Sequence, residues 1–258
     1  MQTSVLQAAT LGRRAVVRTA RQPANVVFPL IFPMLLLAVN SGGLKAETRL
    51  PGFPTSSFLA FALAVPFIQG ALLATVNANV EFARDIQTGF LNRLALTPVR
   101  GMVLLLGQLG GLLTIALVQA AFYLVVGLAF GVRLATGVGG AVLLLVLESV
   151  IALAFASFGS WAALRTGSTE AVQGLFPVFF VFLFLSSMNI PRNLIETTWF
   201  RWVATVNPVS YLIEAVRALV IYHWRWETVG LGFAVGGAMC VVGFALATHA
   251  LINRLERT

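Results

Sequence analysis

Apolar runs of twenty or so residues recur along this chain. That recurrence constrains the fold more than any single motif, because about 20 apolar residues in helical form cross the hydrocarbon core of a bilayer. Six such runs are read: about Asn25–Leu44, about Phe58–Val80, within Met102–Val132, about Val138–Leu164, about Ala171–Ile190 and about Val229–Ile252. Lipid offers no water to an open backbone, so spans of this kind are predicted as helices. Composition agrees: 59% of the 258 residues are hydrophobic and 10% charged, against roughly 25% charged in a soluble domain. The expected fold class is an all-α integral membrane protein of one domain over 1–258, with six transmembrane helices.

Before the first run, residues 1–23 place Arg13, Arg14, Arg18 and Arg21 among Val5, Leu6, Leu11, Val16 and Val17, the pattern of an amphipathic helix on an anionic membrane surface. A basic head followed by an apolar core also opens a signal peptide. Here no small-residue cleavage site follows, and later spans continue the pattern. Pro29 and Pro33 predict a kink in the first span, which neighbouring helices tolerate in a membrane.

The second and third spans are separated by EFARDIQTGFLNRLALTPVR, from Glu81 to Arg100. Phe82, Ile86, Phe90 and Leu94 recur every fourth residue, while Arg84, Asp85, Gln87, Asn92 and Arg93 take the remaining surface. The pattern predicts an amphipathic helix over 81–97, weakened at Gly89 and ended by Thr97-Pro98. It reads either as an interfacial helix lying on lipid or as a docking helix for a soluble partner.

A second irregular stretch, 191–227, carries Trp199, Trp202, Trp224 and Trp226 as interface anchors. At its centre, Val209, Leu212, Ile213, Val216 and Val220 form an apolar stripe, and Glu214 and Arg217 stand at a spacing that favours mutual pairing. A helix dipping into the membrane fits this segment better than a full crossing. Within the spans, Glu148 is a costly carboxylate, read as an interhelical contact or as part of a substrate or proton path. Gln69, Asn77, Asn79, Gln108 and Gln119 read as interhelical hydrogen-bonding groups, with Gln69 also a candidate for the substrate path. The row Phe176, Phe179, Phe180, Phe182 and Phe184 reads as lipid-facing bulk. Glycine pairs 107/111, 127/131 and 232/236 have the spacing that lets helices approach closely.

The formal charge of +8 comes almost wholly from arginine, Lys45 being the single lysine, and serves membrane orientation rather than nucleic acid. One side of a six-span chain receives ten basic residues: four in the head, three in the 81–100 loop, Arg165 and two in the tail. The opposite side receives three in short loops, with four more in the long 191–227 segment. The contrast predicts both termini and the 81–97 helix in the cytoplasm. One cysteine, Cys240, and two separate histidines, His223 and His249, supply no metal cluster and no nucleophile-and-base constellation. Lys45 lies between Leu44 and Ala46, so no G-x-x-x-x-G-K-[ST] phosphate loop is present.

Two motifs in this order of spans resemble the membrane subunit of type-2 ABC exporters, in the daunorubicin and multidrug-resistance branch, over essentially the whole chain. One is Arg84, Asp85, Gly89, Phe90, Arg93, Thr97 and Pro98, matching a cytoplasmic coupling helix. The other is N-P-x-x-Y-x-x-E-x-x-R at Asn207, Pro208, Tyr211, Glu214 and Arg217, matching an external re-entrant helical segment. The resemblance implies a permease in the bacterial inner membrane that exports a hydrophobic or amphipathic drug, antibiotic or lipid. ATP and magnesium would belong to a separate ATP-binding subunit, in contact with Glu81, Arg84, Asp85, Gln87, Gly89, Phe90 and Arg93. A second permease chain, identical or paralogous, would complete the path. A polysaccharide or glycolipid exporter stands as the alternative, with an ion-coupled secondary transporter behind it.

Overall fold

The computed structural model of the protein describes Gly12, Val17, residues 23–89 and residues 101–255. These form helices α1 (Pro23–Gly43), α2 (Phe58–Ala62), α3 (Ala64–Gln87), α4 (Gly101–Ala129), α5 (Gly137–Thr166), α6 (Thr169–Gln173), α7 (Leu175–Phe184), α8 (Thr198–Val206), α9 (Pro208–Ile221) and α10 (Trp226–Leu255). Short 3-10 turns cover Lys45–Arg49 and Arg192–Leu194, and no strand occurs among the described residues.

Proline placement explains the breaks. Pro66 lies in the first turn after the α2–α3 break, and Pro177 lies in the first turn of α7, after the break at Gly174. A proline ring removes a donor and crowds the carbonyl four residues back, so each chain bend falls just before it. In α1, Pro33 likewise deprives the Pro29 carbonyl of its helical donor, and the Tyr123 hydroxyl from α4 donates to that carbonyl instead.

α3 is the central helix, packed against α1, α4, α5 and α9 and buried from Ala64 to Val76, whereas α1 and α10 turn much apolar surface outward. Contacts fix the directions. Gly127 meets Leu63 and Tyr123 meets Gly70, so α4 runs antiparallel to α3. Asn79 meets Ala156 and Ser160, while Gly236 meets Val150 and Gly243 meets Ser157, so α3, α5 and α10 run the same way. Since α5 ends at one end of the bundle and α10 begins at the other, α6 and α7 carry the chain across between them.

This fifth crossing corrects the expectation of a continuous span over 171–190. Its helical part is the 16-residue, broken Thr169–Phe184, and five other helices are long and apolar enough to cross by themselves. At 1.5 Å per residue the broken helix reaches about 24 Å, short of the roughly 30 Å core. The second span is corrected too: it bends at Leu63 and runs on to Gln87 instead of ending near Val80.

The glycine pairs divide. A Cβ on Gly232 would lie 2.2 Å from the Ala215 Cβ, and one on Gly236 would lie 2.9 Å from Val150, so that pair seats α10 against α9 and α5. Gly12 stands against Gly107 and Gly111, as close packing requires. Gly131 does not pack; with φ +90 and open space around it, it follows the end of α4.

Candidate functional site

The first candidate surface is the end of α3. Residues 81–87 are its last two turns, with Phe82, Ala83 and Ile86 buried in the bundle and Arg84 and Gln87 exposed. Arg84 pairs with Glu81 at 2.9 Å, an exposed i,i+3 pair that shapes the surface more than it stabilises the fold. The Thr88 N–H donates to the Arg84 carbonyl, and Gly89 adopts φ +69. Only glycine enters that left-handed region without strain, so Gly89 closes the helix. This corrects the expectation of one helix over 81–97: the apolar stripe begins as the end of a membrane-crossing helix and is interrupted at Thr88 and Gly89. Phe90, Arg93, Thr97 and Pro98 lie outside the described residues.

The α5–α6 turn stands at the same end, packed on α3. Gly167 takes φ +64 there, Arg254 donates to the Leu164 carbonyl at 2.9 Å, and Ser168 caps α6 through Ala171. Arg84, Asp85, Gln87 and Arg165 therefore share one polar end of the bundle.

At the opposite end, every residue of the second motif is tied down. Asn207 caps α9, its side chain accepting from Val209 at 2.9 Å, and Pro208 takes the first helical position, where its missing N–H costs nothing. The Asn207 amide also donates to the Phe182 carbonyl at 2.6 Å, anchoring the cap to α7. Tyr211 donates to the Thr205 carbonyl at 2.9 Å, and the Arg192 guanidinium lies 4.5 Å over the Tyr211 ring. α8 and α9 meet at 79° across Asn207. Arg192, before α8, reaches Glu214 on α9, while the last turn of α9 holds the α4–α5 loop through Thr136 to Leu219 and Ala135 to Val220. Both arms thus return to the same end of the bundle, as a re-entrant pair does.

The expected pairing of Glu214 with Arg217 is not formed. Glu214 takes a bidentate ion pair from Arg192, at 2.7 Å from Nε and through Nη2. Arg217 is 3% exposed and donates to three carbonyls: Phe61 at 3.1 Å, Ser187 and Met188. Its guanidinium also covers the Phe61 ring at 3.5 Å. The physical reason is the short fifth crossing. Non-helical backbone at membrane depth must find partners in protein, and Arg217, with the Ser210 hydroxyl accepting from the Ser187 N–H, supplies them. Arg192 and Phe61 were the partners missing from the sequence reading, since neither lies near Glu214 or Arg217 along the chain.

The mid-span polar residues fall into two groups. Asn79 donates to Ala156 at 3.3 Å and accepts from Ser160 at 2.8 Å, and Gln108 donates to Ala78 at 2.7 Å, all interhelical as expected. Gln69 and Glu148 lie inside the bundle at 2% and 1% exposure. Gln69 Oε1, Glu148 Oε2 and both amide atoms of Gln119 have no hydrogen-bond partner among the described residues.

Comparison with known proteins follows the same outline. Residues 6–221 match the family model described as ABC-2 type transporter. The chain belongs to that family. It is a multi-pass membrane protein and a transport permease, the family's membrane subunit, which works with an ATP-binding subunit. Among its relatives, the putative transport permease ycf38 of Pyropia yezoensis is 29% identical over 80% of this chain and 71% of its own length. The ycf38 protein of Porphyra purpurea is 26% identical over 95% of this chain and 89% of its own. The probable doxorubicin resistance ABC transporter permease protein DrrC of Mycobacterium tuberculosis is 25% identical over 90% and 78%. The permease thus shares most of its length with proteins described as transport permeases.

Proposed function

We propose that this permease exports a hydrophobic or amphipathic molecule, a drug, antibiotic or lipid, across a bacterial inner membrane, driven by an ATPase subunit docked at the Glu81–Gln87 end of α3. The observation that carries the reading is mechanical continuity. α3 is one helix of 24 residues, about 36 Å long. Its polar end presents Arg84, Asp85 and Gln87, and beyond its other end Phe61 in α2 accepts from Arg217 of the re-entrant pair. Displacement at one end therefore reaches the other through packed helix and a charge-assisted hydrogen bond, without passing through a loop.

The substrate class draws on the printed description of the DrrC relative, a doxorubicin resistance permease. The arginine bias places both termini and the docking end on the cytoplasmic side. A second permease chain, identical or paralogous, completes the path, with the outward apolar faces of α1 and α10 available to it. Phe90 and Arg93, which lie outside the described residues, belong to the same proposed docking segment by their place in the sequence.

The test is joint charge reversal, Arg84→Glu with Asp85→Arg, in cells expressing permease and ATPase subunit together. Membrane insertion stays intact while co-purification of the ATPase and nucleotide-dependent export both fall about tenfold. Unchanged co-purification contradicts docking at this end. Export of a polysaccharide or glycolipid in place of a drug would move the substrate reading to the other exporter class.

A further inference from the structure

The end of the bundle opposite Gln87 holds a cavity of about 270 Å³ between α2, the Arg192–Leu194 turn, α9 and the start of α10. Its lining includes three guanidinium groups, Arg192, Arg217 and Arg225, with Glu214 as the sole carboxylate, beside Asn193 and Tyr222. Arg192 and Glu214 neutralise each other. Arg217 is held by three neutral carbonyls, so its charge is solvated but not cancelled. Arg225 lies 3.9 Å over the Tyr222 ring and is exposed. The cavity is therefore concave, polar and cationic by two charges, with one arginine buried and one at its mouth.

We propose that this cavity binds the phosphate group of an anion at the membrane–water interface. Guanidinium forks match phosphate oxygens in geometry, and two guanidinium charges that no carboxylate in the lining cancels favour an anion there. The setting favours an interfacial ligand. Trp224 and Trp226 flank Arg225, stack at 4.9 Å and are exposed, as aromatic anchors are at headgroup level. The same chemistry serves an anionic phospholipid headgroup or a soluble phosphate ester, and the inference does not depend on which substrate the permease moves.

The full-length permease, purified in neutral detergent, is titrated with phosphatidylglycerol, with sn-glycerol 3-phosphate and with phosphatidylcholine, and binding is read by native mass spectrometry and thermal shift. Phosphatidylglycerol binds in preference to phosphatidylcholine, whose quaternary ammonium the arginines repel. Arg225→Gln weakens that binding about tenfold, the effect of losing one charge-assisted contact. Thr228→Glu, which puts a carboxylate into the lining, abolishes it. Parallel binding of sn-glycerol 3-phosphate shows that the phosphate alone is recognised. Binding of the lipid only assigns the headgroup as the ligand, and binding of the ester only assigns a soluble anion. Equal binding of the two lipids without the ester, or unchanged binding in Arg225→Gln and Thr228→Glu, overturns the proposal.

Discussion

The Tyr123 hydroxyl on α4 donates to the Pro29 carbonyl on α1, the group that Pro33 leaves without a donor in its own helix. Tyr123 is fully buried, with Gly70 leaving room for its ring and Phe67 packed edge-on at 5.8 Å. A proline inside a span is tolerated here because a neighbouring helix takes over the orphaned carbonyl.

Tyr123→Phe is expected to cost about 1–3 kcal/mol, the penalty for a buried acceptor left unpaired. At about 2–4 °C per kcal/mol the melting temperature falls measurably. Pro33→Ala restores an N–H to the helix, so Tyr123→Phe costs less in that background. A thermal double-mutant cycle reads the coupling, and purely additive effects contradict the assignment.

The Arg192–Glu214 pair locks the turn before α8 onto α9. Glu214→Arg lowers the melting temperature, and adding Arg192→Glu recovers more than half of the loss, because the swapped pair restores attraction across the same two positions. Both side chains are about a quarter exposed, so the pair contributes modestly, about 1 kcal/mol. A swap that recovers nothing contradicts the geometry.

Gly232 and Gly237 lie on the same helix in different surroundings. Gly232→Ala drives a methyl into Ala215 and destabilises the α9–α10 contact by about 1–3 kcal/mol. Gly237 has nothing within 4 Å of an added Cβ, so Gly237→Ala is neutral or gains up to about 1 kcal/mol in helix propensity. The reverse order in a thermal-shift comparison contradicts the packing.

Much of the architecture was legible because lipid imposes simple rules on sequence. Span positions followed from apolar run length, and a helix inside 191–227 from the stripe Val209, Leu212, Ile213, Val216 and Val220. Breaks were harder to read. Gly174 is one glycine among 23, and only Pro177 just beyond it marks the end of α6. Along an isolated helix, the spacing of Glu214 and Arg217 favours pairing, but partners from distant segments won. Arg192 offers Glu214 a two-pronged ion pair, and the carbonyls of Ser187 and Met188 require the Arg217 donors. In the docking stretch the stripe through Phe82 and Ile86 was read correctly as one face, yet it faces the bundle's own core. Periodicity identifies a buried face without telling which surface buries it.

Docking of the ATPase at the polar end of α3 is the account's central claim, and cross-linking at Gln87 tests it most directly. Cys240 is changed to Ser to remove the lone thiol, Gln87→Cys supplies a new one, and the permease is expressed in cells with its ATPase subunit. The account predicts that residue 87 is labelled only by membrane-permeant thiol reagents, and that it cross-links to the ATPase in a nucleotide-dependent way. Labelling by an impermeant reagent from outside the cell, or cross-linking to the ATPase from Trp199→Cys in α8 in place of residue 87, contradicts it.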